Sequence, residues 1–255
     1  MTRILKYIFY DVLRSRFILG YALFLLVSSL ALFQLDAESS KVILSLMNIV
    51  LIVVPLISIV FTTVHFYNSY EFMELMLSQP VNRRNVFLGE FFAVALSLCL
   101  AFAVSTGIPI LLYGAGAEGL MLLYSGIMLT LVFVSLAFLA AVLTRDKAKA
   151  IGMALMFWFY FSLIYDGLLL WIMYSFSDYP LENATLALVA LNPIDLARIM
   201  ILLKMDIAAL MGYTGAFYKE FFGSYVGLLF SSGLLVVWAI VPLCIALAVF
   251  KRKDL

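Results

Sequence analysis

The stretch whose reading decides the fold is His65–Glu90, HFYNSYEFMELMLSQPVNRRNVFLGE. It is polar and patterned, and it lies between two long apolar runs. Its first half has helical period. Glu71, Glu74 and Ser78 fall on one face, and Phe72, Met73, Met76 and Leu77 on the other. Gln79-Pro80 stops that helix, because proline disfavours α geometry in the residue before it. Val81-Asn82-Arg83-Arg84 turns the chain, and Asn82 or Asn85 can cap the helix that follows. A short amphipathic helix parallel to a membrane, followed by a basic turn, is a rigid handle on the apolar runs at either end.

Those runs set the class of the protein. Two thirds of the chain is apolar (66%) and only 12% is charged, whereas a soluble domain is roughly half apolar and a quarter charged. The composition is that of an all-α integral membrane protein. Six runs are long enough to cross about 30 Å of hydrocarbon: 17–33, 43–64, 91–113, 120–143, 150–174 and 225–250. They must be helices, because a segment in lipid has to satisfy its own backbone. Residues Thr2–Arg16 precede them as an amphipathic helix, with Arg3, Lys6, Tyr7, Tyr10 and Arg14 on the polar side. Such a helix lies in the headgroup layer. No cleavable signal peptide is expected, since no Ala-x-Ala site follows the first run. Residues 1–255 read as one transmembrane domain, without internal repeat, low-complexity tract or soluble domain.

Lysine and arginine orient the spans. With the N-terminus inside, twelve basic residues are cytoplasmic, among them Arg83, Arg84, Arg145, Lys147, Lys149 and Lys251–Lys253; four are external, Lys41, Arg198, Lys204 and Lys219. Both termini are then cytoplasmic. The net charge of +1 is spread over short loops and points to no nucleic acid. Gly114–Gly119 is expected as a glycine-rich turn and Thr144–Lys149 as a tight basic loop. The external segment 175–224 is too polar for a seventh span and too apolar for a free loop, so it reads as re-entrant or surface-lying helices. There Asn192 can cap a helix with Pro193 at its first position and Asp195 in its first turn.

Residues that carry chemistry are few. None of the 14 glycines is followed by lysine, so the chain holds no phosphate-cradling P-loop. Neither H-E-x-x-H, G-x-S-x-G nor a cysteine cluster occurs, and nothing marks an enzyme. The two cysteines, Cys99 and Cys244, lie in apolar runs and read as small buried hydrophobes. The single histidine, His65, cannot form a histidine-rich metal site and reads as an interface residue with a satisfied hydrogen bond. Asp166 is the acid well inside an apolar run, where charge is costly and a functional role is the default. It lines a substrate or proton path, or else it snorkels to the external interface. Met153 and Met156 form an M-x-x-M pair in the same span, with Met200, Met205 and Met211 further on. Thioethers suit Cu(I) but also fill irregular packing. Gly223–Gly227 is a G-x-x-x-G that lets helices approach closely.

The pattern resembles the ABC-2-type permeases, the membrane subunits of ATP-driven exporters. The likeness is carried by EFMELMLSQPVNRRNVFLGEF, by Leu191-Asn192-Pro193-Ile194-Asp195-Leu196 and by the tail Phe250–Leu255. The nearest subfamily is the NosY type, the permease of the system that matures nitrous oxide reductase. The resemblance implies a cytoplasmic coupling helix between spans two and three, with Glu71, Glu74, Arg83 and Arg84 meeting a separate ATPase. It implies two ATPase copies, which bind the ATP and Mg, on a permease homodimer in a bacterial inner membrane. External helices between spans five and six would offer Asp195 and Arg198 to a partner, a periplasmic β-helix protein in the NosY type. Two rivals stand beside it: a generic ABC-2 exporter of lipid, peptide or drug, and a self-sufficient secondary transporter, which would show internal repeats around a midplane site.

Overall fold

The computed structural model describes residues 2–36, 38–79, 81–176, 187–205 and 225–252. All regular structure among them is helical: α1 (Thr2–Leu13), α2 (Arg16–Leu35), α3 (Ser39–Asn68), α4 (Tyr70–Leu77), α5 (Arg83–Leu112), α6 (Gly116–Leu143), α7 (Lys147–Phe159), α8 (Tyr165–Ser175), α9 (Pro193–Lys204) and α10 (Tyr225–Arg252). Between α7 and α8, Tyr160–Ile164 form a turn of π-helix. Six stretches are long and apolar enough to cross a membrane: α2, α3, α5, α6, the continuous α7–α8 rod and α10.

Several helices outrun their apolar segments, because a helix goes on satisfying its own backbone past the edge of the hydrocarbon. α3 starts at Ser39 and α5 at Arg83. The stretch His65–Glu90 is therefore divided three ways, into the last turn of α3, the separate helix α4 and the first two turns of α5. Arg83 and Arg84 belong to that helix and not to a turn. The glycine-rich turn is shorter than expected. Gly114 and Gly116 take the left-handed conformation, at φ 65° and 57°. Gly119 is already inside α6, where a Cβ would come within 2.6 Å of Ile110. The basic loop likewise ends early, with Asp146 capping α7 through a 2.9 Å bond from the Ala148 amide.

The helix α6 is the centre of the bundle. Its most apolar window is 72% buried, against 17% for span five and 22% for span six. Small residues let the helices close up: at Gly126 a Cβ would lie 2.2 Å from the ring of Phe102 on α5. Near one end Phe138 receives the edges of Phe66, Phe87 and Phe91 at centroid distances of 5.5, 5.3 and 5.5 Å. Phe250 of α10 joins through Phe87 at 4.9 Å. Edge-to-face pairs of this kind stabilise by about 0.5–1.5 kcal/mol each beyond their buried area, so α3, α5, α6 and α10 are locked together there. Spans one, five and six instead present apolar faces away from the chain's own core. Both described cysteines are free, and Cys244, expected to be buried, is exposed on such a face.

Candidate functional site

Two polar assemblies interrupt the apolar bundle. The first surrounds α4. α3 ends because Ser69 caps it: its backbone N–H and its hydroxyl both donate to the His65 carbonyl, each at 2.9 Å. The chain re-enters a helix at Tyr70. α4 buries Met73 and half-buries Phe72, Met76 and Leu77. Its other face carries Glu71, Glu74 and Leu75, all exposed, with Leu75 at 68%. The two acids stand where the period places them. Leu75 is the addition: an apolar side chain beside two carboxylates, on a face that no described residue covers.

Braces hold the corner from which α4 starts. The Tyr67 hydroxyl lies 2.9 Å from Thr144 Oγ1 and 3.2 Å from the Ala141 and Thr144 carbonyls. Lys147 Nζ donates to Asn68 Oδ1 at 2.7 Å. The α3–α4 corner is thereby tied to the α6–α7 corner. Glu71 and Arg145 both line a hollow of about 510 Å³ between these corners, together with Phe66, Tyr67 and Tyr70. On the far side of α4, Arg83 and Arg84 are exposed and line an open basic groove of about 690 Å³ with Asn82, Asn85, Leu88 and Lys251. Asn82 is the residue that caps α5, through its carbonyl, which accepts from Asn85 and Val86.

His65 has its hydrogen bond, to a residue sequence reasoning passed over. Its Nε2 lies 3.3 Å from Glu90 Oε2, and Glu90 is 1% exposed. The His65 ring also stacks on Phe61 at 5.8 Å. The signal was present: Glu90 has Val86–Gly89 before it and Phe91-Phe92 after it. A span boundary drawn at residue 91 hid it among loop residues, when it is two turns inside α5.

The second assembly is built on α9. Asn192 caps the helix with its side chain, Oδ1 accepting from the Ile194 amide at 3.0 Å, and Pro193 takes the first position, where its missing N–H costs nothing. The Asn192 amide group donates twice, to Asp195 Oδ2 at 2.8 Å and to the Phe161 carbonyl at 3.0 Å. Phe161 lies in the π turn, where the ordinary helical bonding of the backbone is interrupted. Arg198 then joins two carboxylates, Asp195 at 2.7 Å and Asp166 at 3.1 Å. Phe161 stands near the middle of span five, and Trp238, which donates to the Ala190 carbonyl at 3.2 Å, near the middle of span six. The start of α9 thus sits at mid-height in the bundle.

This geometry changes the reading of several residues. Asp166 is not a lone acid in an apolar span but the partner of Arg198. Asp195, expected as an outward contact, is 5% exposed and bonded within the chain. A hollow of about 290 Å³ opens beside the ion pairs, between Leu169, Met173 and Ile199. Met153 and Met156 do not join Asp166 there. Met153 packs toward the core and Met156 is 65% exposed. Met200 and Met205 are buried, while Met211, Lys219, Pro80, Asp206 and Gly223 lie outside the described residues.

The family profile described as "ABC-2 family transporter protein" matches residues 4–255. The chain belongs to the ABC-2 transporter family. Two relatives bear the name "Probable ABC transporter permease protein NosY". One, from Stutzerimonas stutzeri, is 27% identical over 277 residues, which cover 95% of this chain and 95% of the relative. The other, from Pseudomonas aeruginosa, is 27% identical over 266 residues, with 96% and 95% covered. As an ABC-2 permease the protein is a multi-pass membrane component of a transporter, and membership of the family implies an ATPase partner.

Proposed function

We propose that this ABC-2 permease takes up the force of a separate ATPase through α4. The observation that carries the reading is the division of labour on that helix. One face is anchored by Met73; the other offers Glu71, Glu74 and Leu75 to a partner, and the Tyr67 and Lys147 braces join it to α6 and α7. Arg83 and Arg84 extend the contact along the start of α5. Two copies of the ATPase bind ATP and Mg and drive a permease homodimer. The outward-facing apolar surfaces of spans one, five and six suit that pairing and the surrounding lipid. In this reading the α4 end and both termini are cytoplasmic, in a bacterial inner membrane, and the basic residues gathered at that end agree with it.

The likeness to the NosY permeases takes the reading further. The chain supports assembly of the copper–sulfur centre of nitrous oxide reductase. It moves a sulfur or copper species, or transmits force to a periplasmic β-helix partner. Tagged purification in mild detergent tests both levels. An ABC ATPase together with a β-helix protein supports the full proposal. An ATPase alone points to a generic exporter of lipid, peptide or drug. Absence of any ATPase, with membrane ATP hydrolysis unchanged by loss of the chain, overturns it in favour of a secondary transporter. In reconstituted vesicles, the double substitution Glu71→Lys and Glu74→Lys should leave insertion intact and lower permease-stimulated ATP hydrolysis about tenfold, the effect of roughly 1.4 kcal/mol at the contact.

A further inference from the structure

Where α1, α3, α4 and α5 meet, the bundle holds a hollow of about 320 Å³ that the transport reading does not use. Its polar lining among the described residues is Asp11, His65, Asn68, Ser69 and Glu90. Three of these are already occupied. Ser69 donates to the His65 carbonyl, Asn68 accepts from Lys147, and His65 faces Glu90 Oε2. Glu90 is not. It is 1% exposed, and its second oxygen, Oε1, has no hydrogen-bond partner among the described residues. A buried carboxylate oxygen without a donor costs more than an ordinary hydrogen bond returns. Among the described residues the site is therefore left open to a further donor.

Its chemistry narrows what that donor is. An anion would meet two carboxylates. A metal ion would find too few ligands, since no group of three or more His, Cys, Asp or Glu is gathered among the described residues. A neutral donor would fill Oε1 but bring no charge to a lining that holds two acids, Asp11 and Glu90. A primary ammonium group answers each demand, with one positive charge and three N–H donors. The edge of the hollow already holds such a group, in Lys147 on Asn68.

Depth narrows the carrier. His65 is three residues from the end of α3, and Glu90 lies about 10 Å along α5 from its first residue, at 1.5 Å per residue. α1 precedes the first span. The hollow is therefore at the level where headgroups meet a bundle. Arg14 is exposed, and its amide still donates to the Tyr10 carbonyl at 3.2 Å, so it continues the helical face of Asp11 one turn on. A phosphate attached to the ammonium is the kind of group a guanidinium pairs with.

We infer that this hollow is a binding site for a primary ammonium group, carried by an ethanolamine phospholipid headgroup or by a soluble alkylamine, with Glu90 and Asp11 as its acceptors. The test uses the full-length chain, delipidated in detergent and read by native mass spectrometry. Phosphatidylethanolamine is offered against phosphatidylcholine, which has the same charge but no N–H donors. The intact chain should retain the ethanolamine lipid about tenfold better, the effect of a single charge-assisted hydrogen bond. Glu90→Gln and Asp11→Asn should each bring the two lipids close to parity. Asp11 is exposed, so its variant keeps the test open if the Glu90 variant does not fold. Displacement of the lipid by ethylamine assigns the site to soluble amines. Resistance to ethylamine, with the preference weakened in Arg14→Ala, assigns it to the lipid. Equal retention of the two lipids by the intact chain, or an undiminished preference in both carboxylate variants, overturns the inference.

Discussion

The two polar assemblies differ in completeness. Around α9 each polar group named has its partner: Asn192 uses its oxygen once and its nitrogen twice, Asp195 receives two donors, and Arg198 spans Asp195 and Asp166. Around His65 the set stops short among the described residues, with Glu90 Oε1 unpartnered beside a hollow. A closed network in a low-dielectric interior fixes one geometry. An open one has a place for something else. The difference separates a part of the permease built to hold its shape from a part built to receive.

The sharpest way to break this comparison is Asn192→Ala. It removes a helix cap and strips donors from the Phe161 carbonyl and from Asp195 together, so the loss should be about 3 kcal/mol, read as a lowered melting midpoint in detergent. A loss no larger than that of an exposed substitution would show the network to be incidental. At the α4 end, Tyr67→Phe removes the hydroxyl that joins the two corners. Stability should drop by about 1 kcal/mol, with a larger fractional loss of ATPase stimulation, because the brace lies between α4 and α6. The smallest effect belongs to Glu90→Gln. With one oxygen already unpartnered, neutralising the group should shift stability by less than about 1 kcal/mol in either direction. A loss as large as that of Asn192→Ala would make the His65–Glu90 pair structural and erase the contrast.

Much of this was legible along the chain. Apolar runs of 20 or so residues can only be spans, and Asn192-Pro193 followed by Asp195 spells a helix start that the structure has at those positions. The faces of α4 followed from period alone. What stayed hidden was pairing over distance. Asp166 looked like a lone acid because its cation is 32 residues on, across a segment whose path hydropathy does not describe. Glu90 escaped for the opposite reason: it looked solvated, since its partner is 25 residues back, on the far side of α4. Hydropathy measures the cost of moving a residue into lipid alone, and says nothing about the neighbour that removes the cost. The exposed Leu75 was placed on neither face, because an apolar residue at the position of the acids fits neither half of an amphipathic pattern.

The turn at Tyr160–Ile164 gives span five a property of its own. A π turn holds one residue more than the helix around it, so the rods on either side are out of phase by about 100°, one residue's share of a 3.6-residue turn. The surplus residue is slack in a screw thread. If it travels along the span, each residue it passes swings onto a new heading while the ends stay where they are. The Asn192 amide on the Phe161 carbonyl is the pin through that thread. While it is in place, the side chains of α7 and α8 keep the directions they have; once it is drawn, a push along the axis can emerge as a twist.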